Sequence, residues 1–350
     1  MTEVIDTFPC FGSTCAVVVD AGDDEAAAHD AVAAARSRLL DWHDAFSRFI
    51  PTSELSRLNA DPRSEVPVSP LMGRLVEAIA DAAGQTGGLV DGTLLREIET
   101  AGYRGDLGRP LALNLALRLA PRRRPARPSR DASWRRVAFD RASGTVRRPP
   151  GVALDSGGLA KGLFADVIAE TLGEHRAFAV ECAGDLRLGG AGGLDRPVAV
   201  QSPFDGSVLH TFALTAGGVA TSGIGRRSWL DARHAPAHHL LDPATGRAAF
   251  TGVVQATAIA PTALQAEIRA KAAVLSGPAG ARSWLPDGGV IVADDGGFEV
   301  IAPTGRERPG SAAARRAHAR PAPPSAPSAG RAQAVASGSP RRSSCRGPGR

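Results

Sequence analysis

Three short segments of this chain combine charged side chains with glycine or with helical spacing. The first is Ala153-Leu154-Asp155-Ser156-Gly157-Gly158-Leu159-Ala160-Lys161-Gly162. A strand is expected to end in Asp155, two glycines turn, and a lysine falls on the first turn of a helix. Helix N-termini bind phosphate through N–H groups and the dipole, and glycine lets backbone come close. The run is not a Walker A loop, because the lysine precedes the last glycine and no Ser or Thr follows; nor is it Gly-x-Gly-x-x-Gly. By itself it suits an ordinary tight turn with a surface lysine better. The second is His238-His239-Leu240-Leu241-Asp242-Pro243-Ala244-Thr245-Gly246. Asp-Pro-x-Thr-Gly is a turn by composition, and a histidine just before it has the type of a general base. A solvated turn histidine is the commoner outcome. The third is Glu267 with Lys271, four residues apart on one expected helix. That spacing gives either a surface ion pair worth ~0.3–0.5 kcal/mol or two charges aimed at one site. Thr221-Ser222-Gly223 lacks the Gly-x-Ser-x-Gly pattern, so a serine hydrolase finds no support.

Counting sharpens the lysines. Of 41 basic residues only Lys161 and Lys271 are lysine. In an arginine-biased chain, a surviving lysine marks a place where a planar guanidinium does not fit, or chance. A compact ammonium suits phosphate as a point charge. The net charge of +5 is misleading, because residues from Pro303 onward hold ten arginines against Glu307 alone. The remaining 31 basic and 35 acidic residues leave the body at −4, which gives no case for nucleic acid.

The elements that must position these residues follow from periodicity and caps. A strand is expected over 11–20, then a helix from the acids at 23–25 to about Phe46. Ser69-Pro70 opens a second helix as N-cap and first residue, with Gly87-Gly88 beyond its end. Residues 118–136 hold eight arginines among prolines and read as an exposed loop. Strands are expected at 152–155, 178–182, 197–201, 208–214, 253–260, 289–293 and 298–301. Helices are expected at 160–172 and 263–276, the latter opened by a Thr262-Ala-Leu-Gln265 capping box. Residues 1–302 read as one domain. Residues 303–350, made of Ala, Pro, Ser, Gly and Arg, are expected to be a disordered basic tail. No apolar run approaches the ~20 residues that span a bilayer. The start of the chain shows neither signal peptide nor lipobox, and Cys10, Cys15, Cys182 and Cys345 form no disulfide framework, so a cytoplasmic location is expected.

The order of the short motifs carries more than any one of them. Phe8-Pro-Cys-Phe11-Gly12-Ser13, Phe46-Ser47-Arg-Phe49, Thr86-Gly87-Gly88-Leu89-Val90-Asp91, Asp155-Ser-Gly-Gly-Leu-Ala-Lys161-Gly162, Glu181-Cys-Ala-Gly184-Asp185, Ala220-Thr221-Ser222-Gly223, His239-Leu-Leu-Asp242-Pro-x-Thr-Gly246 and Ala260-Pro-Thr262-Ala-Leu-x-Ala-Glu267 occur in that sequence. Together they resemble the ApbE family, the FAD:protein FMN transferases, over about residues 8–301.

The resemblance implies an α+β fold of mixed, largely antiparallel sheets with packed helices, of the T-fold type, as a monomer or weak dimer. It implies transfer of FMN from FAD to a Thr or Ser hydroxyl of an acceptor flavoprotein, with release of AMP and help from Mg²⁺. FAD binding without turnover and FAD pyrophosphatase activity are the alternatives. By position in the motifs, His239 would be the base toward the acceptor hydroxyl. Lys161 would lie near the diphosphate and Asp155 would hold the nucleotide. Leu89, Val90, Asp91, Ser222 and Leu241 would belong to the FAD site. Phe11 and Phe49 fall where the family commonly has methionine and tyrosine against the flavin, and keep an apolar or aromatic face. Gly158, Glu267 and Lys271 match metal-ligand positions. There the chain departs from the family, because Ala270 offers no donor and a lysine at 271 repels a cation.

Overall fold

Runs of β-branched residues pair into one eight-stranded sheet whose spatial order follows the chain. The strands are β1 (Glu3–Cys10), β2 (Ser13–Asp20), β3 (Phe178–Cys182), β4 (Asp185–Gly189), β5 (Gly217–Gly223), β6 (Val253–Ala260), β7 (Gly289–Ala293) and β8 (Phe298–Ile301). Every neighbouring pair is antiparallel. The structure is a computed structural model that describes residues 2–105, 108 and 110–304. The described residues fall within one compact unit. Nearly all of the expected tail lies outside them.

The described residues form seven helices: α1 (Glu25–Phe46), α2 (Glu54–Ala60), α3 (Pro70–Gln85), α4 (Leu95–Thr100), α5 (Leu113–Leu119), α6 (Ala160–Leu172) and α7 (Ala263–Ala281). Helix α1 packs on β1 and β2, α6 on β3 and β4, and α7 on β5 and β6. Alternation in β2 buries Cys15, Val17 and Val19, as a strand with one covered face requires. Strand β6 is buried at seven of its eight positions. The caps act as their residue types predict. Asp24 accepts from Ala27 N, Ser69 from Met72 N, and Thr262 from Gln265 N.

Four expectations change. The strand expected from residue 11 begins at Ser13, because Phe11-Gly12 forms a two-residue hairpin with φ of 53° and 67°. Such loops need positive φ at both centres, which is costly for a bulky aromatic. Residues 152–155 form no strand; Leu154 N bonds Asn59 Oδ1 at 2.7 Å and Asp155 N bonds Gly92 O at 2.8 Å. Helix α7 runs past 276 but breaks at Gly277, whose φ is 69°, before Pro278. The arginine-rich segment exposes most of its side chains, yet its backbone is tied down. Arg124 N bonds Phe250 O, Ala126 N bonds Leu275 O, and Arg127 N bonds Asp242 Oδ1.

Candidate active site

One tight hairpin and three helix ends converge on a cleft of about 650 Å³. The Phe11-Gly12 turn places the Phe11 ring on its wall, 5.5 Å from the rings of His43 and Phe164. Gly87 and Gly88, with φ of 61° and 90°, end α3 and turn the chain into Leu89, Val90 and Asp91, which also line the cleft. Burial pushes the Asp91 carboxyl up, against two hydrogen bonds from Thr93. Asp155 and Gly158 lead into α6, whose first turn carries Lys161. His239 and Leu241 come from the opposite segment, and Lys271 from α7. Phe49 lines the mouth and is 46% exposed. Ser222 lies buried in β5, outside the lining residues.

Beneath the cleft the chain's two lysines meet two acids. Glu267 is fully buried and Lys271 is 8% exposed, so the surface ion-pair reading does not hold. Glu267 Oε1 accepts from Lys271 Nζ at 2.8 Å and lies 3.5 Å from Lys161 Nζ. Glu267 Oε2 accepts from Gly162 N at 3.0 Å. Lys161 Nζ also donates to Asp185, which the Ala183-Gly184 hairpin presents at the start of β4. Burial would raise the Glu267 carboxyl, but the two lysines and the Gly162 N–H outweigh it and hold it low. Burial and the Glu267 charge push Asp185 up. Burial would depress Lys161, yet Asp185 and Glu267 hold its ammonium above the ordinary range.

The glycine-lysine segment therefore differs from a free phosphate cradle. The Gly162 N–H is spent on Glu267. Gly162 itself is required by packing: a Cβ there would sit 2.8 Å from Ala263 O and Leu264 Cα. Gly158 keeps the wall low beside Lys271, since a Cβ there would lie 3.6 Å from Lys271 Cε.

His239 is held by a bond from its own N–H to Arg227 O at 3.3 Å. Its Nδ1 is buried with no partner among the described residues. Burial, then the charges of Arg227, His238 and Lys271, push its imidazole well below the usual range. The imidazole is therefore held in its neutral form. The turn after it is fixed by Asp242 Oδ1, which accepts from Ala244 N and Arg127 N, and by Gly246 at φ 63°.

Sequence reading missed three contributors. Arg48 lies with its Nε 3.6 Å from Asp155 Oδ1, and its guanidinium stacks 4.4 Å from the Phe49 ring centre and 4.5 Å from that of Tyr103. Arg227 lines the cleft beside His239. Asp185 stood in a quoted motif, but only the fold shows that it pairs with Lys161. An arginine-rich composition hides individual arginines, so Arg48 and Arg227 had no signal beyond adjacency to Phe49 and Arg226.

The residues present do not fit a divalent ion. Both Glu267 oxygens are engaged and Ala270 has no donor. Two unit charges 4 Å apart interact by about 4 kcal/mol at an effective dielectric near 20. A doubly charged ion beside Lys271 would meet about twice that repulsion. Among the described residues no group of three or more His, Cys, Asp or Glu could hold a metal.

The ApbE family model matches residues 11–292. The chain belongs to the ApbE family. An FAD:protein FMN transferase of Rhodobacter capsulatus is 28% identical over 283 residues, 79% of this chain and 52% of that protein. The enzyme of the same name from Escherichia coli K12 is 30% identical over 150 residues, 41% of this chain and 42% of that protein. These alignments span about half the length of each relative. The ApbE protein of Thermotoga maritima superposes with a TM-score of 0.69 at 25% identity, over 86% of this chain and 97% of that one. The flavin transferase ApbE of Vibrio cholerae gives 0.64 at 21% identity, over 87% and 97%. The ApbE-family fold, α+β with a largely antiparallel sheet, is the one expected from the motifs. Among the described residues no helix is long and apolar enough to cross a membrane.

Proposed function

We propose that this chain transfers FMN from FAD to a Thr or Ser hydroxyl of an acceptor flavoprotein, with AMP leaving. The observation that carries the reading is the convergence of His239, Lys161, Lys271 and the aromatic side chains of Phe11 and Phe49 on one cleft. FAD brings a flat apolar ring and an anionic diphosphate. Phe11 and Phe49 offer faces for the ring. The lysines offer positive charge at the diphosphate. Asp155, backed by Arg48, would hold the nucleotide.

The acceptor hydroxyl attacks the phosphorus on the FMN side. The new O–P bond forms as the bond to the AMP phosphate breaks. Neutral His239 takes the hydroxyl proton, and AMP departs with the electron pair of the broken bond. Charge developing on the phosphoryl oxygens is met by ammonium groups already in place, so little reorganisation is needed.

His239→Ala tests this reading. AMP release with acceptor protein is expected to fall by about 10²–10⁴, the usual cost of losing a general base. FAD affinity, read by flavin fluorescence quenching, is expected to stay within about threefold, because the imidazole acts on the acceptor's proton. Transfer at the wild-type rate removes His239 from the mechanism. Release of AMP without any acceptor identifies the activity as hydrolysis.

A further inference from the structure

We infer that the Lys271 ammonium takes the place of a divalent cation in this chain, so that the cleft binds a nucleotide diphosphate without metal. The inference rests on the FAD reading above and goes beyond it. Glu267 is the one carboxylate at the expected metal position, and its oxygens are taken by Lys271 Nζ at 2.8 Å and Gly162 N at 3.0 Å. A metal entering there would have to displace an ammonium from a fully buried carboxylate.

Lys271 is also placed to act on a ligand. It lines the cleft while Glu267 lies beneath it. An ammonium carries three N–H donors. Among the described residues its one hydrogen-bond acceptor is Glu267 Oε1. At least one donor is therefore left for an anion in the cleft. Gly158 adds no side chain between them, with Lys271 Cε 3.6 Å from where its Cβ would be. The charges agree. Lys161 and Lys271 balance Asp185 and Glu267, and Arg48, Arg226 and Arg227 on the cleft wall exceed Asp91 and Asp155 by one. The site is then slightly net positive without an ion. In a chain with 41 basic residues and only two lysines, both converge on one carboxylate. A compact ammonium is the side chain that imitates a small cation as a point charge.

The test compares the full chain in EDTA and in millimolar MgCl₂. FAD binding is read by fluorescence quenching and turnover by AMP release with acceptor. Each is expected to change by less than about threefold between buffers, since the fixed ammonium supplies the charge. A loss of about tenfold or more in EDTA, restored by Mg²⁺, overturns the inference and leaves flavin transfer standing. No FAD binding in either buffer overturns flavin transfer and this inference with it. Lys271→Thr provides a second arm. It is expected to weaken FAD binding in EDTA by about 10- to 100-fold, the range for a lost charged hydrogen bond. Freed of the ammonium, Glu267 is expected to let Mg²⁺ recover part of that loss. A folded variant with wild-type affinity and an unchanged Mg²⁺ titration overturns the inference. If the variant does not fold, the wild-type buffer comparison decides alone.

Discussion

His238 and His239 are adjacent in sequence and serve different ends. His239 lines the cleft, whereas His238 is 1% exposed, with its ring 4.8 Å from that of Phe250. His238 Nδ1 accepts from Leu240 N at 3.3 Å, and Nε2 has no partner among the described residues. Burial pushes its imidazole down to about 3. An unfolded histidine titrates near ~6.5. Below that value the unfolded chain binds a proton that the folded chain refuses, so stability falls with pH until about 3. The slope from one such group reaches ~1.4 kcal/mol per pH unit. His238→Gln is expected to keep an acceptor for Leu240 N and flatten the fall, with His239 retaining its own share. Thermal melts at pH 7 and pH 5 check this; equal drops in both proteins would remove His238 as the cause. The residue scale was legible where chemistry is written in residue type. Lys161, Lys271, Glu267 and His239 stood out by rarity or spacing. Asp185 and Arg48 did not, because their importance comes from burial and partners that only the fold supplies.

Helices α6 and α7 cap one another. Glu267 on α7 accepts from Gly162 N in the first turn of α6. Asp166 on α6 accepts from Ala263 N and Leu264 N at the start of α7, both at 2.9 Å. Helix N-termini expose unsatisfied N–H groups, and a carboxylate there satisfies them and complements the dipole. The exchange needs close approach, which explains two glycines. A Cβ on Gly162 would meet the α7 backbone at 2.8 Å, and one on Gly218 of β5 would lie 2.2 Å from the Thr262 carbonyl. Gly162→Ala is expected to cost about 1–3 kcal/mol through overpacking against backbone. Its loss of flavin transfer should exceed its loss of folded protein, since it also disturbs Glu267. Gly173→Ala at the far end of α6 is the control; nothing lies within 4 Å of its Cβ position. Similar melting temperatures for the two variants would show that the helices part easily. At this scale, α6 and the strands β3 and β6 to β8 were readable residue by residue in the sequence. Strand β1 was missed because Pro9 interrupts its pattern, tolerable only on an edge strand. Strand β5 was missed because Gly217, Gly218 and Gly223 deny it strand propensity, and packing against Thr262 explains Gly218.

The cleft gathers residues from Phe11 to Leu275, so a ligand that fills it joins distant parts of the chain. Helix α7 already does so, with Ala263, Ile268 and Ala272 in the core shared with α1 and α6, and Ala270, Ala273 and Val274 in the core around β6 and β7. Ligand binding should register as global stability. FAD at about 100 times its dissociation constant adds ~2.7 kcal/mol. At roughly 2–4 °C per kcal/mol for a large domain, the melting temperature should rise by about 5–10 °C. Phe49→Ala separates binding from folding. The ring is half exposed and stacks on Arg48 and Tyr103. Losing an exposed cation–π contact costs about 0.5–1 kcal/mol, so the ligand-free melting temperature should drop by no more than a few degrees. The FAD-induced rise at fixed concentration should shrink much further if Phe49 is one of the aromatic walls of the proposed flavin site. An undiminished FAD shift in Phe49→Ala would take Phe49 off the flavin and leave Phe11 as the remaining stacking candidate.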